Sequence, residues 1–330
     1  MVNVFKELSK IIADYNMQGI KYKIGKFRRC ILFAHCVYCK LTLHCNHEEY
    51  FAYEFYKLNC KERKKFLLVY HQRQKYRLVN AKGATSSKVV MAQINPVEYG
   101  REFLNFKTCD YDTFHAFFEK HKKIIVKPDC DSYGRRIKVL NYKDEVECLY
   151  IFSFFTNKDF MCEEYIKQHS LLNSLNPKSV NTVRILALLV DGDTQIIAAA
   201  LRSGSGDSVV DNLKKGGIGA NVNIETGVVD TIGMDYNGKS YTTHPNTGYP
   251  FLGLKIPFWE EAIQMVKQAH IRFQTCAILG WDIAITEERP VIIEANNAPG
   301  PMIHQFIDKV PKGEKIISFL KAKEKERKRR

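Results

Sequence analysis

The segment from Gly280 to Asn297 constrains this chain more than any other part of it. Two apolar, β-branched runs, Ile283 to Ile285 and Val291 to Ile293, flank the polar break Thr286-Glu287-Glu288-Arg289-Pro290, which is the pattern of a β-hairpin. With the turn centred near Glu288, Asp282 on the outgoing strand lies opposite Glu294 on the returning one. Alternation then places Ile292, Glu294 and Asn296 on the face of Asp282, Ala284 and Thr286. The other face, with Ile283, Ile285, Val291 and Ile293, is apolar and suited to a core. Two carboxylates and an amide converge where like-charge repulsion is costly without a cation. Hard oxygen donors in that number suit Mg²⁺ shared with phosphate oxygens better than zinc. A hairpin whose polar face simply meets solvent is the competing explanation of this stretch.

A second signal lies upstream. Lys122-Lys123-Ile124-Ile125-Val126-Lys127-Pro128 reads as a short apolar strand ending in a lysine, followed by the polar loop Asp129 to Ile137 with Ser132 and Gly134. A lysine beside such a loop can place its ammonium, and the loop its N–H groups, on nucleotide phosphates. A solvated strand end is the bland alternative. Phe160-Met161-Cys162-Glu163-Glu164-Tyr165-Ile166 reads as a further strand whose edge backbone is able to receive an adenine ring.

The order of these features, strand lysine, polar loop, strand with paired Glu, then Asp and Glu-x-Asn on a hairpin, resembles the ATP-grasp superfamily of carboxylate–amine ligases. Gln168-His169-Ser170, Val180-Asn181-Thr182-Val183-Arg184-Ile185, Asp211-Asn212, Gly216-Gly217-Ile218 and Glu294-Ala295-Asn296-Asn297 are similar to its sugar-transfer-associated group, related to α-L-glutamate ligases and linked with polysaccharide synthesis. The resemblance covers about residues 100–308. It implies an α+β ATP-grasp fold, two subdomains gripping ATP, behind a mostly helical N-terminal region.

The resemblance also implies roles. Lys127 matches the lysine on the α- and β-phosphates, and Ser132 and Gly134 the loop folding over them, with one glycine where many relatives have several. Glu163, Glu164, Tyr165 and Ile166 match the hinge whose backbone receives adenine. Gln168 or His169 lies near the ribose, where the acidic residue common in relatives is absent. Asp282, Glu294 and Asn296 match the magnesium ligands, for two ions. Several relatives carry an arginine two residues before the first metal aspartate; here that position is Gly280, so Arg184 or Arg202 supplies the charge beside the transferred phosphoryl group. In the glycine-rich stretch Arg202 to Gly219, Arg202 is expected to bind the substrate carboxylate or acyl phosphate, Asp211 and Asn212 to position the loop or bind the amine, and Lys215 to approach the polyphosphate. A solvent loop without substrate contact is the alternative. The implied reaction is attack of a substrate carboxylate on the γ-phosphate, followed by displacement of phosphate by an amine. An ATP-grasp kinase and a non-catalytic nucleotide-binding scaffold of a glycan assembly complex remain as other readings.

Composition fits a cytoplasmic enzyme with real cores in two or three subdomains: 330 residues, 45% hydrophobic and 26% charged. No apolar run of about eighteen residues suggests a membrane span. Met1 to Leu8 reads as the start of an amphipathic helix rather than a signal peptide, and ten cysteines without such a signal favour reduced thiols. Cys36-x-x-Cys39 followed by Cys45 and His47 has zinc-ligand chemistry, but the apolar neighbours Ile31 to Ala34 and Leu41 to Leu43 favour buried thiols. The formal net charge is +14, from 50 Lys and Arg against 36 Asp and Glu. Basic clusters at Lys21 to Arg29, Lys61 to Lys65, Arg73 to Arg77 and Lys321 to Arg330 read first as solvated faces. They also suit a peripheral membrane contact or an anionic substrate such as a sugar nucleotide or acidic glycan. No recognised nucleic-acid motif accompanies them.

Along the chain, residues 1–87 form a helical N-terminal region ending in the linker candidate Asn80 to Ser87. Residues 88–167 carry the first grasp subdomain, with a helix near Tyr111 to Lys120. Residues 168–310 form the catalytic subdomain, with strands Val183 to Val190 and Gln195 to Leu201 joined by an Asp191-Gly192-Asp193-Thr194 turn, and a helix from Trp259 to Phe273. Residues 311–330 are a basic tail, its last ten residues frayed or disordered.

Overall fold

A computed structural model of the protein describes residues 26–130, 136–208 and 210–329. The expected helix start at Met1, the beginning of the first basic cluster, and the loop positions Ser132 and Gly134 lie outside the described residues.

Helices come first. α1 (Lys26–Leu43), α2 (His47–Ala52) and α3 (Cys60–Arg63) build the N-terminal region. A capping box starts α2: the Asn46 side chain accepts from the Glu49 N–H while the Glu49 carboxylate accepts from the Asn46 N–H. Tyr50 and Phe51 of α2, with Tyr53 and Phe55 just beyond its end at Ala52, go into the core with Phe66 and Leu68. Cys36, Cys39 and Cys45 pack in the same cluster. Burial pushes the Cys36 thiol up to about 11, so these groups behave as small apolar side chains.

α4 (Lys88–Ile94) and α5 (Pro96–Tyr99) lead into a four-stranded antiparallel sheet of order β1-β4-β2-β3: β1 (Phe103–Asn105), β2 (Lys123–Pro128), β3 (Lys138–Asn141) and β4 (Phe160–Glu164). α6 (Tyr111–His121) and α7 (Glu145–Phe155) cover it, started by Asp110 and Asp144 N-caps. Their Phe114, Phe118, Ile151 and Phe155 meet Ile124, Val126 and Cys162 from the strands. β4 is not the edge strand expected, because the three-residue β1 covers its far side.

After α8 (Ser170–Leu175) comes a seven-stranded antiparallel sheet of order β11-β10-β5-β6-β7-β8-β9. Its strands are β5 (Thr182–Val190), β6 (Asp193–Ser203), β7 (Ile218–Val222), β8 (Gly233–Asp235), β9 (Ser240–Tyr241), β10 (Ile278–Ile285) and β11 (Pro290–Asn296). One face packs on α9 (Trp259–Ile271), which buries Trp259, Ala262, Met265, Val266 and Ala269 at helical spacing. Gly227, at φ +71°, lets the chain pass beneath this helix; a Cβ there would stand 2.3 Å from the Trp259 ring. On the opposite face, Leu186, Leu188, Ala198 and Ile278 meet Leu67 and Tyr76, together with Ile316, Ile317 and Leu320 of α10 (Glu314–Arg329). The segment expected as a basic tail is thus helical through Arg329, and its first turns are anchored in the core.

Two further expectations change. The polar stretch from Asn80 to Ser87 is a strap rather than a free linker. The Asn80 amide donates to the Ile278 and Asn297 carbonyls, both at 2.6 Å, and the Asn297 N–H donates to the Thr85 hydroxyl at 3.2 Å. The hairpin keeps Asp282 opposite Glu294, but the register shifts next to them: Ile283 pairs with Ile292 and Ala284 with Val291. Ile293 is the extra residue of a β-bulge. Ile292 therefore joins the apolar core with Ile283, while Val291 joins Ala284 and Ile166 on the side first assigned to Ile292.

Candidate active site

Asp282, near the centre of β10, is the hub. Its neighbours across the sheet are Glu294 on β11 and Arg184 on β5, and the row continues through Ala200 on β6 to Asn221 on β7. These five share one face. Asn296 joins it one step along, opposite Gly280, and Thr182 and Arg202 likewise pair with each other one step the other way.

Arg184 grips Asp282 with two hydrogen bonds, from Nε to Oδ1 and from Nη2 to Oδ2, the latter 2.7 Å. Arg202 Nη2 lies 2.7 Å from Asp211 Oδ1 and 3.3 Å from Asp282 Oδ2. The Thr182 hydroxyl donates to the Asp211 carboxylate and accepts from Arg202 Nε at 3.1 Å. Burial opposes ionisation of Asp282, but Arg184 and Arg202 outweigh it and hold its pKa below the ordinary value. Glu294 moves the other way, pushed up first by burial and then by the Asp282 charge beside it. Among the described residues Arg184 pairs with Asp282, and Arg202 with Asp211 and Asp282, while no cation pairs directly with Glu294, so ion pairing leaves this cluster short of positive charge. Oxygen donors on Asp282, Glu294 and Asn296 with that deficit fit a hard divalent cation.

Gly280 explains why no arginine stands two residues before Asp282. A Cβ at Gly280 would lie 2.7 Å from Pro299 Cβ and 3.4 Å from Arg184 Cδ. The Arg184 side chain, coming from the adjacent strand, already occupies that side of the hub.

A second polar cluster sits in the smaller sheet. Lys127 Nζ donates to Glu163 Oε1 at 2.6 Å, and Arg101 Nη2 lies 2.9 Å from Glu163 Oε2. The Tyr99 hydroxyl donates to the same oxygen. All of these side chains are buried. Burial alone would raise the Glu163 pKa, but Arg101 and Lys127 outweigh it and hold it at about 2. Burial in turn lowers Lys127. Two cations lean on one carboxylate, so this cluster carries an unmatched positive charge. Lys88 at the start of α4 donates through Nζ to the Pro128 and Asp129 carbonyls at 3.2 and 3.0 Å, and its charge acts on both Lys127 and Glu294. Arg101 also donates to the Ile292 carbonyl at 2.6 Å, tying the small sheet to β11 of the larger one.

The other expected residues are placed as follows. Glu163 and Glu164 are separated from Tyr165 and Ile166: Glu163 is paired on both sides within the sheet, and the Glu164 N–H donates to the Glu102 carbonyl at 3.1 Å. Only Tyr165 and Ile166 follow the end of β4 and can present the free backbone expected of all four. Lys123 Nζ sits 3.6 Å from the Tyr165 ring centroid. Gln168 is a structural knot, donating to the Asn176 and Ser179 carbonyls at 2.9 Å each. His169 caps α8 through Nδ1, and its Nε2 lies 3.7 Å from Glu287. Asn212 caps the 3-10 turn Leu213–Lys215, at whose end Lys215 is exposed. The glycine-rich loop is stitched at its base rather than free. The Asn176 amide and His244 Nε2 both meet the Gly204 carbonyl, at 3.0 and 2.7 Å, and a Cβ at Gly217 would stand 2.6 Å from the Asp211 carbonyl oxygen.

Sequence reasoning missed Tyr99, Arg101, Asn221 and His304. The 3-10 turn Met302–His304 packs against β6. His304 is 1% exposed, and neither ring nitrogen has a hydrogen-bond partner among the described residues; the same holds for the Asn221 amide. Burial, then the charges of Arg184, Lys312 and Arg202, keep the His304 imidazole neutral. No motif flags these positions: Tyr99 and Arg101 reach Glu163 across the chain, and Asn221 and His304 are brought to the site by strand order and packing.

A family model for sugar-transfer-associated ATP-grasp proteins matches residues 61–316. No curated protein sequence matches the chain. Among solved structures, the ATP-grasp ligase PsnB with its minimal precursor is 13% identical at a TM-score of 0.45, over 74% of this chain and 64% of that one. D-alanine–D-alanine ligase from Bacillus anthracis is 13% identical at 0.42, over 74% and 70%. VanG D-Ala:D-Ser ligase from Enterococcus faecalis is 14% identical at 0.43, over 71% and 61%. The chain spans less than two thirds of PsnB in three of its complexes, 64%, 61% and 62%. The family model covers both sheets and helices α4 to α9: the chain has the ATP-grasp fold and belongs to the sugar-transfer-associated ATP-grasp family.

Proposed function

We propose that this protein is an ATP-dependent carboxylate–amine ligase. The observation that carries the reading is the pair of clusters with opposite charge imbalance, two cations on Glu163 and a carboxylate, Glu294, beside the paired Asp282, linked by the hydrogen bond from Arg101 to the Ile292 carbonyl. A metal–triphosphate is complementary to both at once. Lys127 binds the α- and β-phosphates, giving up part of its pairing with Glu163, and Arg101 keeps that carboxylate neutralised. The loop with Ser132 and Gly134 closes over the phosphates, and the backbone of Tyr165 and Ile166 receives adenine, with His169 near the ribose. Glu163 and Glu164 serve this hinge from within the sheet.

Asp282, Glu294 and Asn296 would hold Mg²⁺, which supplies charge neutralisation to the transferring phosphoryl group. Arg184 and Arg202 neutralise charge beside the reacting carboxylate. Arg202 binds that carboxylate and Asp211 fixes the guanidinium, while Asn212 shapes the loop and Lys215 meets the polyphosphate from its rim. The substrate carboxylate oxygen forms a bond to the γ-phosphorus as the bond to ADP breaks. An amine then attacks the acyl carbon and phosphate leaves, making the amide. Residues 88–167 and 168–310 are the two halves that close and exclude water from the acyl phosphate.

The family's association with sugar transfer supports an amino acid joined to a sugar acid or glycan precursor in polysaccharide synthesis, with a sugar nucleotide or acidic glycan as the carboxylated partner. The test is ADP release across amino acids crossed with uronic acids and sugar nucleotides, with hydroxylamine present. Carboxylate-dependent ADP release and a hydroxamate product are expected. A stable phosphorylated product without acyl trapping would make the protein a kinase, and ATP binding without turnover over the whole panel would favour a scaffold.

A further inference from the structure

Helix α1 has two apolar faces. Leu32, Cys36 and Cys39 point into the N-terminal core. On the opposite side Phe27, Ile31, Ala34, Tyr38 and Leu41 recur at spacings of four and three, forming a straight stripe along the helix. That stripe is open: Phe27 is 80% exposed, Ile31 52%, Tyr38 50% and Leu41 74%. Surface apolar side chains scattered singly are ordinary, but a continuous row along four turns marks an interaction face. The charge of the helix is equally one-sided. Its sequence holds Lys26, Arg28, Arg29 and Lys40 and no aspartate or glutamate.

We propose that this stripe docks the protein on an anionic phospholipid surface, with α1 lying in the plane of the interface. An apolar row between basic residues on a helix free of carboxylates is the pattern of an interfacial helix. The apolar row enters the headgroup boundary, and Arg28 and Lys40, both exposed, meet lipid phosphates. A second copy of the chain is a poorer occupant. A symmetric contact would set cationic helix against cationic helix, in a chain whose formal net charge is already +14. No described helix is long and apolar enough to cross a membrane, so the contact is peripheral. Another exposed apolar row, Val146, Leu149, Tyr150 and Phe154 on α7, is of mixed charge: it begins beside Asp144 and Glu145, and Lys158 Nζ lies 3.9 Å from the Phe154 ring centroid at its end. It serves as the internal control.

The experiment is co-sedimentation of the full chain with vesicles of phosphatidylcholine, with and without phosphatidylglycerol. Binding to the mixed vesicles is expected, at least about tenfold weaker to phosphatidylcholine alone, and falling with added salt. Phe27→Ser with Leu41→Ser should abolish it, and Val146→Ser with Leu149→Ser should leave it unchanged. Phe27→Trp, a conservative change, should add an indole emission that shifts to the blue on anionic vesicles. No sedimentation of the native chain, equal binding by the Phe27 and Leu41 double variant, or an added indole emission blind to lipid would overturn the proposal. So would a soluble dimer that the double variant dissociates.

Discussion

The cluster around Lys127 and the cluster around Asp282 use the same ingredients, buried carboxylates and buried cations, and reach opposite results. Around Lys127, two cations share Glu163, which is held at about 2, while burial lowers the lysine itself. Around Asp282, Arg184 and Arg202 pair with Asp282 and Asp211, and no described cation pairs directly with Glu294; Asp282 is pulled down and Glu294 is pushed up. Each cluster alone is an imperfectly neutralised set of charges, which is expensive where water is scarce. Together, with the charge of Lys88 acting on both and Arg101 bonded to β11, they suit the proposed metal–triphosphate, a species that is anionic at one end and brings a cation to the other. A buried ion pair kept only for stability would have no reason to leave a charge over.

The comparison breaks most visibly at Glu294. Replacing it with Gln keeps the shape and a metal-capable oxygen but removes the carboxylate that is needed once charge moves between oxygens. Turnover should fall about a hundredfold to a thousandfold, with nucleotide affinity changing much less. Steady-state ADP release beside equilibrium ATP binding at saturating Mg²⁺ separates the two. Unchanged turnover would remove Glu294 from the metal set.

The cationic cluster should respond in binding. Lys127→Ala should weaken ATP binding by about tenfold to a hundredfold, the worth of a charge-assisted hydrogen bond in a buried site. Arg101 still neutralises Glu163 in that variant, so folding should survive. Lys123, on the same strand, stacks on Tyr165 and is partly exposed; Lys123→Ala should cost at most a few-fold. Calorimetric titration of both variants gives the contrast. Similar losses would mean that general basicity, not the Glu163-anchored position, attracts the nucleotide.

Much of the acidic cluster was legible in the sequence and little of the cationic one. Asp282 opposite Glu294 follows from strand alternation and the position of Pro290, two local properties. The bulge at Ile293 did not show, because inserting one residue leaves the composition of the hairpin unchanged while moving Ile292 and Val291 across the sheet. The partners Arg184 to Asp282 and Arg101 to Glu163 depend on strand order, which composition does not encode. β4 seemed to offer an edge because Phe103-Leu104-Asn105 is too short to announce a strand. Likewise the loop from Arg202 looked free from its glycines, although Gly204 and Gly217 are there because Ser179 and the Asp211 carbonyl approach too closely for a side chain. Glycine density reports permissive backbone, and close packing requires that as often as motion does.

Glu49 offers the mildest test, because it separates burial from function. It is as buried as the carboxylates of the site, and burial pushes its pKa up to about 7 against an ordinary 4.5, even though the Asn46 and Val69 N–H groups donate to it. Among the described residues no arginine pairs with it as Arg184 does with Asp282, and the charge of Arg73 lowers it only slightly. Between about pH 4.5 and 7 the folded chain therefore binds more protons at this position than the unfolded chain. Stability should be highest below that window, fall by about 1–3 kcal/mol as pH rises through it, and change no further from this group above it. Glu49→Gln should flatten the fall without changing ADP release at neutral pH, since α2 lies in the N-terminal core and not on the face of Asp282. Urea midpoints measured across the window in both proteins read the slope. If the native chain and Glu49→Gln show the same slope there, Glu49 is ionised throughout, and its backbone donors outweigh burial as Arg184 and Arg202 do for Asp282.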